Sequence, residues 1–256
     1  MALSLTILAK SLLAGVIVGF VTASIQSWVD RFFLVIILIG LVGIRIQDAV
    51  VINLVVVSLA ALMMLLRQAD VLLSVRTHWA EIVVPAAVGG ALGRVVALNL
   101  KPAVLLAILG VYAILAGLRL VFIRPLAERE NKAHPAWMVA IAGGSGVLGG
   151  MLSAGGKPFA VPLYNAALGH HPRKAYALAT LGVVSSVWVA LLTHVGLGQA
   201  IGQTSLLLAL YLFVVIALTS LAVARVWTPT LNRIVTYTIA PILVLVGARF
   251  LWMVFR

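Results

Sequence analysis

The chain has 256 residues, of which 64% are apolar and 9% charged, and it contains no cysteine. Soluble domains average about 45–50% apolar and about 25% charged residues, so this composition excludes an ordinary soluble domain and a disulfide scaffold and indicates a polytopic all-α membrane protein. The formal net charge is +12, but the basic residues are spread over short loops, the pattern of the positive-inside bias rather than of a nucleic-acid surface.

The apolar runs are continuous rather than alternating, which argues against a transmembrane β-barrel. The first, 3–23, is read as an uncleaved membrane helix, because the opening MALSLTILAK lacks a basic n-region followed by a small-residue cleavage site. Further segments cover 32–44, 47–66, 80–98 and 102–123. The polar connection RPLAERENKAHP, from Arg124 to Pro135, precedes segments 137–154, 159–169, 175–195, 204–224 and 231–255. A helix needs about 20 apolar residues to cross the hydrocarbon core. Segments 32–44 and 159–169 are too short and are expected as half-helices or re-entrant arms.

Each short arm follows a glycine-broken stretch: GVIVGFVTASIQSWVDRF, from Gly15 to Phe32, and GGSGVLGGMLSAGGKPF, from Gly143 to Phe159. Broken backbone at membrane depth is tolerated only inside protein or beside a wet cavity. A matched pair of such breaks, one per half, is the sequence pointer to a transporter's binding site.

The halves align without a gap at an offset of 127, which pairs Gly19 with Gly146, Phe32 with Phe159, Ser58 with Ser185 and Pro102 with Pro229. The weight lies on the order of segment lengths and on these matches rather than on overall identity. One membrane domain of two repeats, 1–127 and 128–256, is expected. Loop 67–79 carries Arg67 and Arg76, whereas its counterpart near 196–204 is uncharged; the loop at Lys101 is sparse, whereas its counterpart carries Arg225 and Arg233. Basic loops mark the cytoplasmic side. Equivalent loops therefore lie on opposite faces, giving inverted-topology repeats with broken or re-entrant helices, a cytoplasmic central loop and both termini outside.

Asp30 and Lys157 are equivalent positions, followed by Arg31 and Pro158. A charge inside a membrane costs roughly 2.5–3.5 kcal/mol or more and usually faces a pathway or a partner. Lys157, with Arg31, is read as attracting an anion, and Asp30 as balancing charge in the empty site. The plain alternative is a set of interfacial side chains that snorkel. Gln26, Ser27, Ser153, Gly155 and Gly156 offer neutral side-chain or backbone donors, and successive glycine amides or helix N-termini make anion sites. Asn53 and the equivalent Thr180 are expected to complete the shell. For Gly15, Gly19, Gly89 and Gly93, close helix packing is the preferred reading. Ser58 and Ser185 are read as bonding a neighbouring helix.

The string GGSG, from Gly143 to Gly146, matches the GxSG nucleophile motif of rhomboid intramembrane proteases, and His194 lies downstream as a candidate base for Ser145. Gly196 comes one residue too early for that family's HxxG spacing, so an enzyme is the lesser alternative. The histidines show no metal-ligand spacing, and neither a metal nor another cofactor is expected. Glu81 is read as interfacial, Trp79, Trp137, Trp227 and Trp252 as an aromatic belt, and Arg94, Arg119 and Arg249 as snorkelling near segment ends.

The second copy, GVLGGMLSAGGKPFAVPL from Gly146 to Leu163, resembles the glycine-rich stretch and proline-containing arm of the TauE/SafE family of sulfite and organosulfonate exporters. Over nearly the whole chain the doubled pattern is similar to that family. The first copy differs, carrying SIQSWVD from Ser24 to Asp30 where the family commonly has a glycine cluster. The resemblance implies a permease that exports small sulfur oxyanions or sulfonates across a bacterial inner membrane. The expected partners are a small anionic substrate and the lipid bilayer. A coupling ion (proton or sodium) and a homodimer are compatible with this class, and no motif selects them.

Overall fold

The computed structural model describes residues 4–24, 32–67, 69–123, 134, 136–154 and 156–256. Among them the ordered elements are helical: α1 (Leu5–Ser24), α2 (Phe32–Ile37), α3 (Ile46–Arg67), α4 (Ala69–Leu73), α5 (Trp79–Asn99), α6 (Pro102–Phe122), α7 (Ala136–Leu152), α8 (Lys157–Ala166), α9 (Pro172–Gly196), α10 (Gln203–Ala224) and α11 (Pro229–Phe255). A π-helical turn (Leu38–Val42) extends α2, and a 3-10 turn (Arg76–His78) leads into α5. Seven of the described helices are long and apolar enough to cross a membrane. With many large apolar side chains exposed along them, such as Leu118, Leu245 and Trp252, the surface is one that only lipid covers without penalty. The protein is a polytopic helical membrane protein.

The two short arms are as brief as expected: 11 residues over Phe32–Val42 and 10 in α8. Both end alike. The Ile44 N–H donates to the Leu38 carbonyl at 3.0 Å and the His170 N–H to the Tyr164 carbonyl at 3.3 Å. Each bond spans six residues, around a left-handed glycine, Gly43 (φ 83°) or Gly169 (φ 66°). Only glycine adopts that conformation without steric cost.

The chain forms two compact units that do not follow its linear halves. The first holds α1, α2, α3 as far as Val56, α6, α10 and α11. In it α1 and α10 run parallel through a small-residue seam. A Cβ at Gly15 would lie 2.6 Å from Val215 Cγ1, and one at Gly19 2.6 Å from Thr219 Cβ. The Ser220 hydroxyl donates to the Gly19 carbonyl at 2.9 Å. Antiparallel α6 and α11 approach through Gly110 and Gly247.

The second unit holds the rest of α3, α4, α5, α7, α8 and α9. Here α5 and α7 run parallel with backbones in contact: a side chain at Gly89 would strike Gly143, one at Gly93 Val147, and one at Gly150 Gly90 and Arg94. On its other face α5 runs parallel to α9, with Gly90 against Ser186 and Gly182 against Ile82 and Ala86. The packing role expected for Gly15, Gly19, Gly89 and Gly93 is what the seams show. Without a hydrophobic drive between helices in lipid, close backbone approach is what holds such pairs.

Two expectations are corrected. The Ser185 hydroxyl donates within α9 itself, to the Leu181 carbonyl at 2.8 Å, and the Ser58 hydroxyl has no hydrogen-bond partner among the described residues, so neither bonds a neighbouring helix. Arg94 does not snorkel: it is 4% exposed, turned inward against His194. Arg249 is exposed, as expected. Glu81 is partly exposed and meets His78 Nδ1 at 3.0 Å, and Trp137 and Trp252 are exposed near helix ends.

The α5–α7 seam predicts a contrast between neighbouring glycines. Gly150→Ala adds a methyl where backbone already stands, and overpacking of this kind costs about 1–3 kcal/mol. Gly144→Ala points into open space and gains up to about 1 kcal/mol of helix propensity. Thermal unfolding of the purified protein in detergent is expected to show a lower Tm for the first variant and an unchanged or higher Tm for the second.

Candidate functional site

The site is built where α7 stops. After Leu152 the chain leaves the helix at Ser153, whose φ of 53° places a non-glycine residue in the left-handed region. That conformation costs roughly 1–2 kcal/mol, and such strain persists only where the surroundings impose it. Ser153 and Ala154 are fully buried. Gly156 then caps α8, its carbonyl accepting from Phe159 N at 3.1 Å and Ala160 N at 2.7 Å. Pro158 occupies the first turn of α8, where a missing N–H is harmless and a fixed φ helps.

Gly156 is seated on Ser145: a Cβ there would lie 2.6 Å from both Cα and Cβ of Ser145. Ser145 is the tenth residue of the 17-residue α7, and it also faces Gly182 in the interior of α9. The chain has thus doubled back about 10 Å below the end of α7, at 1.5 Å per residue. The N-terminus of α8, which carries a partial positive charge, therefore opens in the interior of the unit and not at a helix end.

Lys157, the first residue of α8, is only 3% exposed. Its Nζ stands 3.7 Å from the centre of the Tyr176 ring on α9. A desolvated cation–π contact contributes about 2 kcal/mol but satisfies none of the ammonium's three donors. Among the described residues Nζ has no hydrogen-bond partner and no carboxylate within ion-pair distance. Thr180 lies one turn beyond Tyr176 on α9, fully buried, and its Oγ1 has no hydrogen-bond partner among the described residues. The arrangement is a buried cation, a helix N-terminus and a free hydroxyl, with no negative group among the described residues to answer them. Its chemistry fits a small anion rich in hydrogen-bond acceptors.

Of the residues expected from sequence, the structure brings Gly156, Lys157 and Ser153 to this break and places Thr180 on the facing helix. Asn53 is fully buried in α3, in the first unit. Gln26, Ser27, Asp30, Arg31 and Gly155 lie outside the described residues. Tyr176 was not anticipated. Its signal was its position four residues before Thr180, hence on the same face of one helix.

The geometry gives no support to a Ser145–His194 dyad. The Ser145 hydroxyl donates to the Ala142 carbonyl at 3.0 Å, and its other neighbours are Gly156 and Gly182. His194 Nδ1 faces the Arg94 guanidinium at 3.0 Å. Ser145 lies against Gly182, and His194 stands twelve residues further along α9, roughly 18 Å at 1.5 Å per residue.

The family model for the sulfite exporter TauE/SafE matches residues 11–250. Comparison with curated proteins and with solved structures finds no match. With nearly the whole chain matched, this multi-pass membrane protein belongs to the sulfite exporter TauE/SafE family, a family of transporters.

Proposed function

We propose that the chain exports small anions such as sulfite or organosulfonates across a bacterial inner membrane, by alternating access between two inverted repeats, 1–127 and 128–256. The observation that carries the anionic substrate is the Lys157 ammonium, buried at a helix N-terminus without hydrogen-bond partner or carboxylate among the described residues. Isolated charges in a membrane interior are costly and are retained where a pathway uses them. Lys157 attracts the anionic head, with Ser153, Gly155 and Gly156 at the break, and the Thr180 hydroxyl donates to it. The first-half set, Gln26, Ser27, Asp30, Arg31 and Asn53, enters by repeat equivalence alone, with Asp30 as the charge balance of the empty state.

Two local features support the repeat. The offset of 127 maps α1 onto α7 and α5 onto α10 to within a few residues. The first unit pairs α1 with α10 in parallel, and the second pairs α7 with α5 in parallel. Both short arms also end in the same six-residue backbone bond around a left-handed glycine.

Proteoliposomes offered a panel of sulfite, methanesulfonate and acetate, with and without a pH gradient, test this reading. Saturable counterflow of the sulfur anions is expected of a carrier; flux that never saturates would indicate a channel, and no flux of any small anion would defeat the proposal. Lys157→Gln is expected to lower flux at least tenfold while Tm holds. Thr180→Val removes a hydroxyl with no partner, and burying an unsatisfied polar group costs about 1–3 kcal/mol. The variant is therefore expected to be at least as stable as the wild type, yet to bind sulfite about tenfold more weakly by calorimetric titration. Unchanged affinity would take Thr180 out of the site.

A further inference from the structure

The second unit holds another buried cation that the Lys157 site does not use. Arg94 on α5 and His194 on α9 are each 4% exposed. The Arg94 Nε donates to His194 Nδ1 at 3.3 Å, and Nη2 stands 3.0 Å from the same atom. An Nδ1 that accepts requires a neutral ring with its proton on Nε2. That Nε2 is buried and has no hydrogen-bond partner among the described residues. No carboxylate pairs with the guanidinium among them either.

We propose that Arg94 and His194 form a second oxyanion site, roughly 12 Å along α5 (Arg94) and roughly 18 Å along α9 (His194) from the level of Ser145, where the transported anion is held near one end of its path. The inference rests on the anion-permease reading. The C-termini of parallel α5 and α9 carry partial negative charge that helps to hold a cation there, but an arginine serving only as a cap would donate to the terminal carbonyls. Among the described residues Arg94 donates to none, and one edge of its fork is spent on a neutral ring nitrogen. The other edge retains parallel N–H donors, the geometry that matches two oxygens of a sulfonate or sulfite. With Nδ1 turned to the guanidinium, the His194 Nε2–H points away from it, so His194 acts on this site by positioning Arg94. Beyond His194 the chain from Val195 to Ala200 is exposed, so the pair lies within about a turn of the helix end.

Calorimetric titration of the full-length protein in detergent with sulfite, and separately with methanesulfonate, tests the site. The wild type is expected to bind two ions per chain, Arg94→Gln and Lys157→Gln one each, and the double variant none. Arg94→Lys, which keeps the charge but loses the fork, is expected to weaken that one site at least tenfold and leave the other unchanged. A cap would tolerate that change. Should Arg94→Gln fail to fold, His194→Leu leaves the guanidinium in place, and a loss or tenfold weakening of one of the two ions is expected. One ion in the wild type, or two bound with equal strength in these variants, overturns the inference. If sulfite flux persists in liposomes with a single Lys157-dependent ion, only this second site fails; absence of both binding and flux in the wild type sinks the permease reading itself.

Discussion

Lipid offers no hydrogen bonds, and that single constraint governs how this protein is built. Every backbone group and every charge in the interior must find its answer within the chain or in something the chain admits. Most of the molecule complies with long helices whose bonds are internal. After Leu152 the helix is interrupted: α7 ends, Ser153 takes a left-handed turn, and α8 begins deep inside its unit. The break is held by contact with Ser145, and it presents what an intact helix conceals, a helix N-terminus with a lysine attached.

Close approach makes that arrangement stable. Where α5 meets α7, glycines face backbone rather than side chains, so the two helices act as a stiff pair against which α9 and α8 are laid. Stiffness matters to the proposed function because an anion site made from one ammonium and a few neutral donors would discriminate by placement. The aromatic ring of Tyr176 holds Nζ from one side and satisfies none of its N–H groups, which in the proposed function would meet an incoming oxygen.

Much of this is legible in the sequence alone. Length and polarity separated the two short arms from the crossing helices, because a segment of 10 or 11 residues cannot span the core and no packing can alter that. The glycine seams were legible because only small residues permit backbone contact in lipid. Lys157 stood out as a charge in an apolar run. What escaped depends on which helices meet. Arg94 looks like any arginine near a segment end, and only the parallel packing of α5 against α9 reveals that a histidine 100 residues away receives it. Tyr176 was hidden for the same reason: its role appears only once α8 has folded back beside α9.

The exchange of helices between the linear halves also bears on biogenesis. The Gly19 carbonyl takes its bond from Ser220, 201 residues later, and at about 5–20 residues per second of synthesis the gap is about 10–40 s. The second unit draws on nothing beyond Ala200 and can close while the ribosome is still at work. Helix α1 therefore waits for α10 until after the second unit can close, and throughout that wait its glycine face rests against lipid or against whatever insertion machinery attends the nascent chain.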